Sequence, residues 1–262
     1  MIVYSAIVPH SPLLMPTIGK EHRDKLSKTL DAIKRIEHGL YLSKPDTVII
    51  IAPHGALYPD AFSINLSPSY TGNFQSFGDF TTTIKVKSDF LLIDHIQRLM
   101  REEKIPFTLT SSESLEYGFS VPWFLLGSQM TAKLIPISPS HADGKAHLDF
   151  GRHLKRVLHA EPTRVAIIAS ADLAHKSGKD ITESEAAAGS EFDMLIEKSL
   201  RAHDISTILN MDTPSLEKVK QCGYRPIMTL LGILDDVQVQ PEVLSYEAPF
   251  GVGYITASYD IH

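Results

Sequence analysis

The feature that most constrains the fold is a pair of short, uninterrupted apolar runs. Residues 48–51 read Val-Ile-Ile-Ile, and residues 165–169 read Val-Ala-Ile-Ile-Ala. Apolar runs without alternation are typical of strands that are buried on both faces, as in parallel sheets. Helically spaced apolar positions within 21–40 predict a covering helix. We therefore expect a single α/β domain over residues 1–262, with a mixed central sheet and helices on both faces.

The remaining elements are predicted from the same two periodicities. Further strands are expected at 2–8, 81–87, 134–137, 237–246 and 252–259, and further helices at 90–103, 147–158, 182–201 and 225–234. A short helix is also expected over 121–129, with Pro122 in its first turn, where the missing N–H group costs least. Strand and helix signals alternate along the chain, which is the pattern of a layered α/β domain.

Composition excludes several classes of protein. The chain has 262 residues, of which 43% are apolar, and this is enough for one large core. A net charge of −6 without a basic stripe argues against a nucleic-acid partner. The single cysteine, Cys222, excludes an internal disulfide and fits a reducing compartment. Neither a membrane-spanning run nor a basic signal-peptide start is recognisable, so we expect a cytoplasmic protein with no membrane partner.

Three histidines follow predicted strands. His10 ends Val-Pro-His, His54 ends Ala-Pro-His, and His175 ends Ala-Ser-Ala-Asp-Leu-Ala-His. In an open α/β sheet, ligands and metals collect at the carboxyl ends of the strands. Imidazoles there are suited to metal ligation and proton transfer. The alternative for each is an ordinary loop histidine that makes a hydrogen bond or faces solvent.

Cys222 lies just before the predicted helix 225–234. A lone cysteine is usually a small buried apolar residue. At a helix N-terminus, however, the helix dipole lowers the pKa of a thiol and favours the thiolate, which is a metal ligand. Glu247 is a second candidate, as a carboxylate ligand on a loop that folds inward. His141, in a loop after a strand, is a candidate for the rim of the same site.

Asp172 is the candidate for orienting the ligand histidines, because histidines that bind metals usually donate their second ring N–H to a fixed acceptor. The alternative is that it caps the following segment. Other chemistries are not supported, since the sequence contains no Gly-x-Gly-x-x-Gly, Walker or Gly-x-Ser-x-Gly motif. No Cys-x-x-Cys motif is present either, which excludes a cysteine-rich structural zinc site.

The order of these motifs resembles that of the class III extradiol ring-cleaving dioxygenases, of the protocatechuate 4,5-dioxygenase β-subunit type, and of their relatives, the Memo proteins. The resemblance covers nearly the whole chain. Its most specific phrase is Ser-x-Asp-Leu-x-His at 170–175, and the others are Pro-His-Ser-Pro at 9–12, Pro-His-Gly at 53–55 and Cys-Gly-x-x-Pro-Ile at 222–227.

In those dioxygenases two early histidines and a late glutamate hold Fe²⁺, and a later histidine acts as acid and base. The resemblance thus implies that His10 and His54 are metal ligands and that His175 is the catalytic acid/base. Cys222 stands where the dioxygenases have the glutamate, and Memo proteins also carry a cysteine at that position. Tyr117 stands where the dioxygenases have a histidine that touches substrate.

Two functions are implied by the resemblance. The first is cleavage of a catechol- or aminophenol-type ring with O₂, which would use Fe²⁺ held by a facial triad with open positions. The second is a Memo-like metal, redox or peptide-binding role without ring cleavage. Cys222 favours the second, because a thiolate is a soft ligand that suits Zn²⁺ or copper. The expected partner is a small aromatic molecule or a peptide, and a homo-oligomer is compatible with either function.

Overall fold

A computed structural model describes residues 1–127, 129–178 and 181–261. The strands are β1 Ile2–Val8, β2 Thr47–Ile51, β3 Phe62–Asn65, β4 Ser69–Phe74, β5 Asp79–Lys87, β6 Phe107–Thr110, β7 Lys133–Ser138, β8 Val165–Ser170, β9 Asp172–His175, β10 Val239–Glu247 and β11 Val252–Ile261. The α-helices are α1 Pro16–Gly19, α2 Ser27–Ser43, α3 Phe90–Glu102, α4 Tyr117–Leu126, α5 Gly144–Ala160, α6 Glu183–Ala202, α7 Ile205–Leu209, α8 Thr213–Lys218 and α9 Tyr224–Leu234.

The described residues form one mixed sheet in the order β10-β11-β1-β8-β2-β7-β3-β6, with β9 paired to β11. β1, β8 and β2 are adjacent and parallel, whereas β11 runs antiparallel to β1. β4 and β5 form a separate two-stranded ribbon. The expected mixed α/β architecture is confirmed.

Both faces of the sheet are covered, because alternate residues of each central strand enter different cores. Ile49 and Ile51 of β2 pack with α3, α5, α6 and α9 on one face. Val48 and Ile50 pack with α2 and α4 on the other face. This explains why β2 is apolar throughout, since all five of its residues are buried. Among the described helices, none is both long enough and apolar enough to cross a bilayer.

The prediction of a helix over 121–129 was wrong in its start and in the place of its proline. α4 begins at Tyr117, so Pro122 lies inside the helix rather than in its first turn. The buried face of the helix, which includes Phe119 and Trp123, compensates for the missing backbone donor. Short strands such as β3, β6 and β9 were also missed, because their apolar patterns are too brief to stand out from loops.

The topology brings three strand ends together. Because β1, β8 and β2 are parallel neighbours, their carboxyl ends lie at one edge of the sheet. His10 follows β1, His54 follows β2, and Ser170 ends β8. The segment before α9 supplies Cys222 from a distant part of the chain. The edge thus has the position at which open α/β sheets bind ligands.

Candidate metal centre

Two imidazoles and one thiol converge at this edge. One ring nitrogen of His10, one of His54 and the Sγ atom of Cys222 all lie within 4.8 Å of one another. The two imidazole rings are nearly perpendicular, with centroids 4.9 Å apart. Cys222 Sγ lies 3.5 Å from His10 Nε2. Three donor atoms this close can coordinate a single ion, and His, His and Cys are all ligands that transition metals accept.

His10 is held from three sides. Its side chain is buried, and its backbone N–H donates to Asp172 Oδ1 at 3.0 Å. Its Nδ1 atom lies 2.9 Å from the hydroxyl of Ser170. Its Nε2 atom lies 3.7 Å from Asp172 Oδ2, on the side of the cluster. The partner of the second ring nitrogen is therefore Ser170, whereas the sequence had suggested Asp172.

Both ligand histidines are kept neutral by their surroundings. Burial, and after it the neighbouring His175, lower the pKa of His10 to about 3. Burial also lowers the pKa of His54 to about 4, with His10 as the next cause. A neutral imidazole has a free lone pair on one nitrogen, which is the form that binds metals. At neutral pH both rings are therefore ready to act as ligands.

The prediction that the helix dipole would lower the pKa of Cys222 was wrong. Removal of the sulfur from water raises the pKa of this thiol, and the nearby carboxylate of Asp172 raises it further. The sulfur also contacts the backbone carbonyl of Asp172 at 3.6 Å, an acceptor for an S–H group. Without a metal, Cys222 is thus a thiol; a metal that binds here has to displace its proton.

Two glycines allow the close approach of the chain at this centre. A Cβ atom on Gly223, next to Cys222, would lie 2.7 Å from the carbonyl oxygen of Asp172. A Cβ atom on Gly55, next to His54, would lie 2.1 Å from Ser138 Oγ. A real Cβ atom at either position would force a neighbouring atom to move. Glycine avoids this clash and so lets the chain beside Cys222 and His54 pack this closely.

Tyr117 forms a wall of the centre. Its ring stacks on that of His54 with centroids 4.6 Å apart, and it lies 5.8 Å from the ring of His10. Burial raises the pKa of Tyr117 to about 12, with the neighbouring Cys222 and Asp172 as further causes. Its phenol therefore keeps its proton at neutral pH and can donate a hydrogen bond to a ligand.

Asp172 and His175 lie at the two ends of β9. Burial raises the pKa of Asp172 to about 6, although the N–H group of His10 opposes this rise. The backbone N–H of His175 donates to Val219 at 3.2 Å. The Nδ1 atom of His175 is buried and has no hydrogen-bond partner among the described residues. His175 also lies close enough to the two ligand histidines to lower their pKa values.

A scan against known families matches residues 4–257 to the family described as the catalytic LigB subunit of aromatic ring-opening dioxygenase. The chain belongs to the LigB family. Metal dependence is typical of LigB proteins, and the cluster of His10, His54 and Cys222 is the candidate metal site in this one. The narrower assignment to the protocatechuate 4,5-dioxygenase type stays a prediction.

One curated relative and one solved structure are similar to this LigB chain. Protein CA_C1420 of Clostridium acetobutylicum is 25% identical over 258 residues, which are 95% of this chain and 55% of that protein. The chain thus spans little more than half the length of this curated relative. The crystal structure of the uncharacterized protein JW3007 from Escherichia coli K12 matches with a TM-score of 0.66 and 12% identity, covering 98% of this chain and 99% of the other. At this identity the second match supports the fold alone.

Two residues suggested for the LigB site have contacts outside the cluster of donors. Glu247 Oε1 accepts a hydrogen bond from the backbone N–H of Thr29 at 2.7 Å, so its carboxylate caps the start of α2. His141 lines a cavity of about 770 Å³ at the N-terminal ends of α5 and α9. His10, His54 and Cys222 lie outside the lining of that cavity.

Sequence reasoning passed over Ser170 and an acidic residue that supports β9. The sequence indicated Ser170 only as the first residue of the motif at 170–175, although a polar residue ending a buried strand was a signal of its role. Asp193 on α6 is fully buried and accepts from the backbone N–H of Ala174, the ammonium of Lys176 and the hydroxyl of Tyr246, at 2.9, 2.6 and 2.7 Å. It thereby ties β9, which carries Asp172 and His175, to α6.

Proposed function

We propose that His10, His54 and Cys222 bind one transition-metal ion, and that the chain is a metal-dependent enzyme of the dioxygenase type. Its proposed substrate is a small aromatic compound of the catechol or aminophenol class. The observation that carries this proposal is the approach of three donor atoms to within 4.8 Å of one another. Membership of a family described by aromatic ring-opening dioxygenases supports the reaction class.

The donor set fits a transition metal. Two neutral imidazoles and a thiol that can lose its proton match Fe²⁺, Zn²⁺ and copper better than Mg²⁺ or Ca²⁺, which prefer oxygen ligands. If ring cleavage is the reaction, the expected ion is Fe²⁺. A bound Fe²⁺ would supply Lewis acidity toward the substrate oxygens and the redox chemistry that O₂ requires.

The surrounding side chains are suited to handling substrate protons. His175 has an unpartnered buried Nδ1 atom beside the centre. We propose that it takes the proton of a substrate hydroxyl and returns it later in the reaction. Tyr117, which keeps its phenolic proton, would donate a hydrogen bond to a substrate oxygen, and its ring would bound the aromatic substrate on the side of His54.

A second function is favoured by one specific observation. The third donor of the cluster is the sulfur of Cys222, and the cluster contains no carboxylate. A thiolate favours Zn²⁺ or Cu⁺ and is readily oxidised near O₂. This supports a Memo-like role, in which the protein binds metal, takes part in redox chemistry or binds a peptide at this edge without opening an aromatic ring.

A ring-fission assay distinguishes the two functions. The protein is purified without added metal, analysed for its elements, loaded anaerobically with Fe²⁺ and exposed to air with a panel of catechols and aminophenols. We expect a coloured ring-fission product from at least one substrate, and none from a Zn²⁺-loaded sample or from His175→Ala. A flat absorbance trace with verified iron occupancy would exclude the dioxygenase function and favour the Memo-like one.

Replacing Cys222 by glutamate is expected to change the metal preference. Cys222→Glu exchanges a soft sulfur for a hard oxygen, so the ratio of Fe²⁺ to Zn²⁺ affinity should rise at least about tenfold. Both dissociation constants are measured anaerobically by competition with a chelator. Cys222→Ala is the control, because it removes the ligand and should weaken both ions. An unchanged ratio in Cys222→Glu would mean that the sulfur is not a ligand.

A further inference from the structure

The hydroxyl of Ser170 lies between two acceptor-capable groups in the buried layer beneath the metal centre. Ser170 is fully buried. Its Oγ atom is 2.6 Å from the backbone carbonyl of Gly118 in α4 and 2.9 Å from Nδ1 of His10. The hydroxyl has one hydrogen, which can be donated in only one of these contacts, so the direction of one bond decides the direction of the other.

The carbonyl of Gly118 fixes that direction. A carbonyl oxygen only accepts, so the hydroxyl of Ser170 must donate to it. Having used its hydrogen there, Ser170 Oγ offers only a lone pair to His10, and Nδ1 of His10 must carry the hydrogen of that bond. An imidazole that binds a metal is neutral. A neutral ring with hydrogen on Nδ1 has its lone pair on Nε2.

Pro122 explains why this carbonyl is free. In an α-helix the carbonyl of residue 118 accepts from the backbone N–H of residue 122. Residue 122 is proline, which has no N–H group, and it lies inside α4. The carbonyl of Gly118 is thereby released from its usual helical donor and accepts from Ser170 instead.

The lone pair on Nε2 faces the other donors. His10 Nε2 lies 3.5 Å from Cys222 Sγ and 3.7 Å from Asp172 Oδ2. The opposite tautomer would direct an N–H group at the position of the metal, and that tautomer cannot coordinate through Nε2. The choice of tautomer therefore decides whether His10 can be a ligand.

We propose that Ser170 is a positioning residue that holds His10 in the Nδ1–H tautomer, and that Pro122 enables this by freeing the carbonyl of Gly118. This inference rests on the proposed metal site. It adds a chain of contacts from a proline in α4, through a carbonyl and a hydroxyl, to the ligand nitrogen. Such outer contacts typically change metal affinity by about 10–100-fold when removed.

The first test compares two buried serines. Ser170→Ala is expected to weaken Zn²⁺ binding about 10–100-fold, measured by competition with a chromophoric chelator. Ser120→Ala is the matched control, because Ser120 is also fully buried and donates to a carbonyl, that of Leu115, at 2.9 Å. The control should bind Zn²⁺ as the unmodified chain does. Equal affinities in the two variants would overturn the proposal.

The second test reads the tautomer directly. Nitrogen NMR of the metal-free protein should show Nδ1–H for His10, with the signal assigned by its absence from His10→Gln. Pro122→Ala restores a backbone donor for Gly118 and should raise the Nε2–H fraction while weakening Zn²⁺ binding, which keeps the inference testable should Ser170→Ala not fold. An Nε2–H ring in the unmodified protein would refute the inference. Because no metal is present in the NMR experiment, its result is independent of whether the proposed function holds.

Discussion

Replacing His10 by alanine is expected to abolish stoichiometric binding of a transition metal. His10 is the buried member of the cluster, and its ring lies within reach of both other donors. Loss of one of three protein ligands weakens metal binding more than loss of a contact that only orients a ligand. The affinity for the metal should therefore fall by more than about 100-fold. His54→Ala should have the same effect. Binding is measured by titration with Zn²⁺ and with anaerobic Fe²⁺.

An exposed histidine provides the control for this prediction. His38 lies on the solvent side of α2, away from the sheet edge. His38→Ala should bind one metal ion with unchanged affinity, which would exclude a general effect of removing imidazole groups. Retained stoichiometric binding in both His10→Ala and His54→Ala would contradict the assignment of the site, and with it the proposed enzymatic function.

Replacing Asp193 by asparagine is expected to give the largest loss of stability. The side chain of Asp193 is fully buried, and that of its partner Lys176 is only 12% exposed. Breaking a buried pair by neutralising one partner leaves an uncompensated charge, which typically costs about 3–5 kcal/mol of unfolding free energy. Asparagine keeps the shape and can still accept from the backbone N–H of Ala174. The free energy of unfolding is measured by denaturant titration.

Two variants test whether the orphaned charge is the cause. Asp31→Asn breaks the ion pair between Asp31 and Lys34. These two side chains are 74% and 73% exposed, so the free energy of unfolding should change little. Adding Lys176→Met to Asp193→Asn removes the unpaired ammonium and should restore part of the lost stability. If Asp193→Asn is as stable as Asp31→Asn, the network does not anchor β9.

The sheet could be predicted because its signals are local. The apolar run 48–51 needs two covering layers wherever it lies, so it predicts a central strand without knowledge of its neighbours. His10 and His54 follow strands of this kind, and parallel strands end at one edge, which is why their convergence could be expected. Pro122 shows the limit of such reasoning, because a local rule placed it in a first turn while tertiary packing holds it inside α4.

The character of the metal centre depended on contacts between distant segments. The pKa of Cys222 rises because its sulfur is buried next to Asp172 of β9, an effect that a helix-dipole argument could not include. The carboxylate of Glu247 caps α2, more than two hundred residues earlier in the chain. The sequence alone determined which strands are buried and which imidazoles end them, since both follow from local periodicity. The tertiary structure decided that Cys222 keeps its thiol proton and that the hydroxyl of Ser170 meets the ring of His10, because hydrogen bonds and solvent exclusion depend on which remote segments pack together.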